Sequence, residues 1–217
     1  MMRKLLSLLF TIAFLATSAQ QQHPFQEEVN TIIKRYDTIW TPRDSTIVFT
    51  GSSSIRMWQG LQDLFPRYQV INSGFGGSMT ADLRHFSEDL IFRYDPDKVI
   101  IYEGDNDLND NLRPADIRRQ MKQLVHEIKI RQEGVQILLI AAKPSPSRWH
   151  LKGRFKRLNR KLKRLCQGDE QLTFVNIWDP MIREDRQVRT DIFLEDGLHM
   201  TEEGYRIWHH VLKNHIN

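Results

Sequence analysis

Apolar residues recur along the chain in short continuous bursts, separated by longer segments with helical spacing. The bursts are rich in β-branched residues and do not alternate with polar ones, which is typical of parallel strands buried on both faces of a sheet. Strands are predicted at 46–50, 69–71, 98–102, 135–141 and 172–177. Helices are predicted at 25–36, 80–92, 114–132, 151–166 and 201–213.

The alternation of strands and helices predicts a three-layer α/β/α fold around a doubly wound, five-stranded parallel sheet of the flavodoxin-like type. The 217 residues suit a single domain. In such sheets, ligands bind beyond the carboxyl ends of the strands, where the winding direction reverses. This rule directs attention to the loops that follow the first and third strands.

The first residues have the composition of a secretory signal peptide. Arg3 and Lys4 precede an apolar run at 5–15, and small residues then lead to Ala19. The run is shorter than the roughly 20 residues that a membrane-spanning helix needs. We therefore expect residues 1–19 to be removed and residues 20–217 to form one domain. That domain would be secreted or periplasmic, with no stable membrane insertion.

Composition narrows the candidate chemistry only a little. Lys and Arg number 31 against 27 Asp and Glu, and this net charge of +4 is too small to indicate a nucleic-acid partner. The single cysteine, Cys166, excludes a disulfide scaffold and a cysteine-built metal centre. The loops must therefore carry the functional signal.

Two glycine-containing loops follow the first two strands. The first, 51–55, reads Gly-Ser-Ser-Ser-Ile and could present a serine hydroxyl above the sheet, although serines also cap helices routinely. The second, 72–78, reads Asn-Ser-Gly-Phe-Gly-Gly-Ser, and its backbone N–H groups could bind an oxyanion. It does not match a dinucleotide-binding fingerprint, because Met79 stands where the last glycine is required.

Two further loops carry amide, carboxylate and imidazole groups. The segment 103–107, Glu-Gly-Asp-Asn-Asp, follows the third strand and offers either an Asn oxyanion donor or an ordinary Asx turn. The segment 196–199, Asp-Gly-Leu-His, precedes the last helix and by itself is close to chance. Together the four loops hold every part of an acyl-transfer site, since a nucleophilic serine needs a histidine base, a carboxylate and oxyanion donors.

In these motifs and in their order the chain resembles the SGNH (GDSL-type) serine esterases and acylhydrolases. The resemblance implies that Ser53 is the nucleophile and that Asp196 and His199 complete the triad. It also implies an oxyanion hole formed by Ser53, Gly77 and Asn106. The aspartate of the family's Gly-Asp-Ser block is Ser52 here, which leaves Ser52 and Ser54 open as alternative nucleophiles.

The implied function is hydrolysis of acyl esters through an acyl-enzyme, with no metal or organic cofactor. For an exported esterase without a cofactor, the favoured substrates are acyl esters of carbohydrate, acetyl esters among them. Lipid, as for a lysophospholipase, stays open as a substrate class, and so does a non-catalytic binding protein on the same fold. A metal-dependent phosphoesterase is a further alternative, and it would use Asp105, Asp107 and His199.

Two weaker signals surround these motifs. Trp58 and Trp149 suit core packing, with stacking on a sugar or acyl chain as the alternative. The stretch 148–164 has nine Lys or Arg and no acidic residue, and its leucines fall on one helical face. Its basic face is expected to be solvated, with attraction to an anionic polysaccharide or phospholipid surface as the alternative.

Overall fold

The computed structural model describes residues 23–42 and 45–216. Its five strands are β1 (Thr46–Gly51), β2 (Gln69–Gly74), β3 (Lys98–Tyr102), β4 (Gln136–Ile140) and β5 (Leu172–Val175). The helices are α1 (Gln26–Asp37), α2 (Ser53–Arg56), α3 (Leu61–Leu64), α4 (Thr80–His85), α5 (Ser87–Leu90), α6 (Asp105–Asn109), α7 (Pro114–Arg131), α8 (Lys152–Leu165) and α9 (Glu202–Ile216). The predicted signal peptide, 1–19, lies outside the described residues.

The sheet has the strand order β2-β1-β3-β4-β5, and every neighbouring pair is parallel. The winding direction reverses at β1, which lies between β2 and β3. Gly51 at the end of β1 is in register with Gly74 on one side and Tyr102 on the other. The loops after these three strands therefore leave the same edge of the sheet, and the predicted fold class is confirmed.

Each face of the sheet is covered by its own hydrophobic core. Successive strand residues point to opposite faces, so Val48 belongs to one core while Ile47 and Phe49 belong to the other. Helices α1, α4, α5, α7 and α8 cover the first face, and α2, α3 and α9 cover the second. Burial on both faces explains why the strands read as continuous apolar runs.

Several element boundaries differ from those predicted. Strand β2 extends to Gly74 because its last residues pair with β1, so part of the second glycine-containing loop is strand. The helix predicted at 80–92 is broken at Phe86 into α4 and α5, and a 3₁₀ turn, Phe92–Tyr94, follows. The short helices α2, α3 and α6 have too few residues to show an apolar period in the sequence.

Helix α8 packs through Phe155, Leu158 and Leu162, and most of its basic residues are exposed. Trp58 is buried in the core against Phe49 and Trp208, so it is a packing residue as expected. In the part of the chain that the structure describes, no helix has both the length and the apolar character needed to cross a bilayer.

Candidate active site

The first loop turns sharply from β1 into α2 and exposes one serine of three. Gly51 has a φ of +128°, and a Cβ placed there would lie 2.0 Å from the Tyr102 carbonyl oxygen, so the turn requires glycine. Ser52 and Ser54 are each only 2% exposed, whereas Ser53 is partly exposed at the start of α2. A substrate in solution could therefore reach the Ser53 hydroxyl more readily than its two neighbours.

The loop before α9 brings a carboxylate and an imidazole to that serine. Asp196 Oδ1 accepts hydrogen bonds from the backbone N–H groups of Leu198, at 2.8 Å, and His199, at 2.9 Å. Its other oxygen, Oδ2, lies 2.6 Å from His199 Nδ1. The imidazole Nε2 lies 3.0 Å from Ser53 Oγ. The structure thus joins the three predicted residues in one hydrogen-bonded chain.

The charge on Asp196 fixes the tautomer of the imidazole. Partial desolvation alone would raise the pKa of Asp196, but hydrogen bonds from Leu198 and His199 hold this pKa at about 2. A carboxylate can only accept a hydrogen bond, so His199 Nδ1 carries the proton of the neutral ring. Nε2 is then left as an acceptor facing Ser53 Oγ, which is the arrangement that a general base needs.

The second glycine-containing loop packs against the end of α2. A Cβ on Gly74 would lie 2.4 Å from the Arg56 backbone nitrogen, so the approach is close enough to require glycine. Gly77 has a φ of +78°, and a Cβ placed there would have no heavy atom within 4 Å, so the left-handed backbone and not a lack of space favours glycine at this position. Glu28 of α1 fixes the loop from outside by accepting the Gly76 N–H at 3.0 Å.

Asn106 in α6 is linked to that loop and to a segment after β4. Its side-chain Nδ2 donates to the Ser78 carbonyl at 2.9 Å, and its Oδ1 accepts from Arg148 Nη2 at 3.0 Å. The second Nδ2 hydrogen has no partner among the described residues. Gly77 and Asn106 are therefore connected through Ser78, with one side-chain donor still available.

Behind Asn106 lies a buried ionic cluster that the sequence analysis missed. Asp105, 3% exposed, accepts from Lys143 Nζ at 2.9 Å, from Tyr102 Oη at 2.8 Å and from Arg148 Nη1. Burial opposes ionisation of Asp105, but the two cations lower its pKa below the usual range. The available signal was Lys143 itself, a cation three residues after the end of β4 in an otherwise apolar stretch.

Two further carboxyl groups support the same loops from below. Glu103 Oε1 lies 2.7 Å from Ser78 Oγ, and burial together with nearby Asp107 raises the pKa of Glu103 well above its usual value. Burial also raises the pKa of Asp107, to about 6, although its carboxyl accepts the Thr80 N–H. These groups are structural parts of the loops and are screened from solvent.

The metal-site alternative does not fit this arrangement. Asp105 is already bound by two cations, and His199 is oriented by Asp196 and faces Ser53. Within the described residues, no group of three or more His, Cys, Asp or Glu side chains could hold a metal ion. The carboxylates of 103–107 therefore brace the site, and the suggestion that Asp105, Asp107 and His199 bind a metal together is not supported.

Solved structures with the same architecture are numerous but distant in sequence. A candidate acylhydrolase of Bacteroides fragilis NCTC 9343 is 20% identical, with 87% of this chain and 95% of that chain covered and a TM-score of 0.75. A GDSL-like lipase of Bacteroides thetaiotaomicron VPI-5482 is 22% identical, with coverages of 85% and 96% and a TM-score of 0.69. A catalytic mutant of an acetylxylan esterase from Geobacillus stearothermophilus is 17% identical, with coverages of 80% and 94% and a TM-score of 0.66.

At these identities the structural neighbours show the fold alone. No curated protein matches the chain by sequence. A family model does match it, over residues 44–207, and this range contains the four loops described above. The chain therefore belongs to the GDSL-like lipase/acylhydrolase family, and it is a carboxylic ester hydrolase.

Proposed function

We propose that the protein is an exported serine esterase that removes short acyl groups, acetyl in particular, from carbohydrate through an acyl-enzyme. The observation that carries the proposal is the hydrogen-bonded chain from Asp196 to His199 to Ser53, with lengths of 2.6 Å and 3.0 Å. A serine hydroxyl is a weak nucleophile unless a base accepts its proton, and this chain supplies an oriented base.

In the first half of the reaction, Ser53 Oγ attacks the ester carbonyl and its proton passes to His199 Nε2. The oxyanion of the tetrahedral intermediate accepts hydrogen bonds from the backbone N–H groups of Ser53 and Gly77 and from Asn106 Nδ2. Collapse of the intermediate breaks the bond to the alcohol oxygen, which takes the proton from His199. The acyl group is then bonded to Ser53.

In the second half, a water molecule gives a proton to His199 Nε2 and attacks the acyl carbonyl. The same donors hold the second oxyanion. When this intermediate collapses, the bond to Ser53 breaks, the acid departs and Ser53 Oγ regains its proton. Asp196 stabilises the imidazolium in both halves.

A cleft lies close along the chain to Ser53 and His199, although neither residue lines it. The cleft has a volume of about 670 Å³, and its walls include Met57, one turn after Ser53, and Met200, next to His199. Charged side chains of Asp63 and Arg206 also line it. Apolar side chains line more of the cleft than charged ones do, so its lining does not select a sugar over an alkyl chain. A carbohydrate ester is supported instead by one neighbour of the same fold, which is an acetylxylan esterase.

The test is hydrolysis of p-nitrophenyl acetate, butyrate and octanoate by the wild-type protein, Ser53→Ala and the matched control Ser54→Ala. We expect acetate to be the best substrate, Ser53→Ala to be inactive and Ser54→Ala to keep its activity. Rates that rise with acyl length would favour a lipid substrate. Unchanged turnover in Ser53→Ala would overturn the proposal.

A further inference from the structure

The ionic cluster behind Asn106 has no part in the reaction steps above. Lys143 and Asp105 are almost fully buried, and the Arg148 side chain is only 11% exposed. Asp105 begins helix α6 after β3, whereas Lys143 and Arg148 belong to the segment after β4. The cluster has two cations and one anion, so it leaves one net positive charge next to Asn106.

Arg148 fixes the orientation of the Asn106 amide. One arm of its guanidinium donates to Asp105 Oδ1, and the other donates to Asn106 Oδ1 at 3.0 Å. At the opposite end of the amide, Nδ2 donates to the Ser78 carbonyl at 2.9 Å. A flipped amide would place its NH₂ group against the guanidinium donors and its oxygen against a carbonyl. Only one orientation satisfies both partners, and it also fixes the direction of the second Nδ2 hydrogen.

Asp105 holds the Arg148 guanidinium in place. This carboxylate is also bonded to Lys143 Nζ at 2.9 Å and to Tyr102 Oη at 2.8 Å. A guanidinium with planar, forked donors can bridge a carboxylate and an amide in a way that a lysine cannot. Replacing buried ion pairs by apolar side chains is often neutral for stability, so fold stability alone gives weak grounds for such a cluster.

We propose that Arg148 is a positioning residue for the oxyanion hole: it orients Asn106 so that Nδ2 donates to the oxyanion, while the Asp105–Lys143 pair anchors the guanidinium. This inference rests on the proposed function, because it assigns Arg148 a role through Asn106 in that reaction.

A double-mutant cycle between Asn106→Ala and Arg148→Met tests the proposal. Loss of one oxyanion donor should lower kcat by about 10²–10³-fold in Asn106→Ala. Misplacement of that donor in Arg148→Met should lower kcat by about 10–10²-fold with KM nearly unchanged. Because Arg148 acts through Asn106, adding Arg148→Met to Asn106→Ala should cause almost no further loss. Arg148→Lys keeps the charge without the fork, so its kcat should lie between wild type and Arg148→Met.

The matched control is Arg154→Met. Arg154 is also partly buried and makes two hydrogen bonds, to Asn111 Oδ1 and to the Leu112 carbonyl, but it does not contact Asn106. We expect its kcat to equal that of wild type. Additive losses in the cycle, or an equal loss in Arg154→Met, would overturn the positioning role even if Ser53→Ala is inactive.

Nuclear magnetic resonance gives a readout that does not depend on activity. The two side-chain N–H signals of Asn106 should shift and broaden in Arg148→Met and in Arg148→Lys, but not in Arg154→Met. Unchanged Asn106 signals in a folded Arg148→Lys protein would also overturn the proposal. If Ser53→Ala keeps full activity, the proposed function fails, and these signals still report whether Arg148 orients Asn106.

Discussion

Asp196→Asn is a substitution that changes one acceptor atom and leaves the shape of the site intact. In the structure, Oδ1 accepts two backbone N–H groups and Oδ2 faces His199 Nδ1. An asparagine has one acceptor oxygen, so it can serve only one of these two sides. Keeping both backbone hydrogen bonds places the NH₂ group against His199 Nδ1.

The NH₂ group then selects the wrong histidine tautomer. It can bond to Nδ1 only if that nitrogen has no proton, and the ring proton moves to Nε2, where it faces Ser53 Oγ. The opposite amide orientation would sacrifice two backbone hydrogen bonds, each contributing about 1 kcal/mol. The base is thus lost in most molecules, and we expect kcat to fall on the order of 10³–10⁴-fold.

The assay is kcat for p-nitrophenyl acetate at pH 7, beside the melting temperature of each variant. At this pH the wild-type Asp196 is ionised, since its pKa is about 2. Asp191→Asn is the matched control, because Asp191 is an exposed carboxylate five residues before Asp196 and pairs with Arg189 and not with His199. Activity within threefold of wild type in a stable Asp196→Asn protein would refute the tautomer argument.

Two further substitutions test the loops that support the site. Gly51→Ala places a Cβ 2.0 Å from the Tyr102 carbonyl oxygen at a φ of +128°, so it should lower the free energy of unfolding in urea by about 3 kcal/mol or more. Gly153→Ala is the control, because its Cβ would have no atom within 4 Å, and it should be neutral or stabilise the fold by up to ~1 kcal/mol. Equal effects of the two substitutions would contradict this account. Burial raises the pKa of Asp107 from 3.8 to about 6, so the folded chain keeps a proton that the unfolded chain has lost, and the contribution of Asp107 to stability should fall as the pH rises from about 4 to 6. Asp107→Asn removes this contribution, so the stability difference between wild type and Asp107→Asn should change by about 3 kcal/mol at most over this range, and parallel melting-temperature profiles for the two proteins would contradict the assignment.

The sheet and its functional edge could be predicted from the sequence because both depend on local patterns. Continuous apolar runs predict strands buried on both faces, and their alternation with helices predicts that neighbouring strands are parallel. The break at Phe86 could not be predicted, since Phe86 is itself buried and the apolar period passes through it without interruption. The extension of β2 to Gly74 could not be predicted either, because it depends on the pairing of Gly74 with Gly51, which is distant in sequence.

The positions of the candidate site residues along the chain could also be predicted, but their contacts could not. Each motif residue lies at a strand end or before α9, which the sequence indicates, but the sequence cannot tell which of three serines faces His199. That choice depends on the turn at Gly51, which buries Ser52 and Ser54. The bonds of Arg148 to Asp105 and Asn106 join loops 42 residues apart or more, so no sequence period reveals them.

Covalent labelling with a fluorophosphonate, followed by peptide mass spectrometry, tests the central claim most directly. The reagent reacts with a serine whose proton is accepted by a neighbouring base. We expect one adduct, on Ser53, in the wild-type protein, and none in His199→Ala. An adduct on Ser52 or Ser54, or an unlabelled protein that still hydrolyses p-nitrophenyl acetate, would contradict the assignment of Ser53 as the nucleophile.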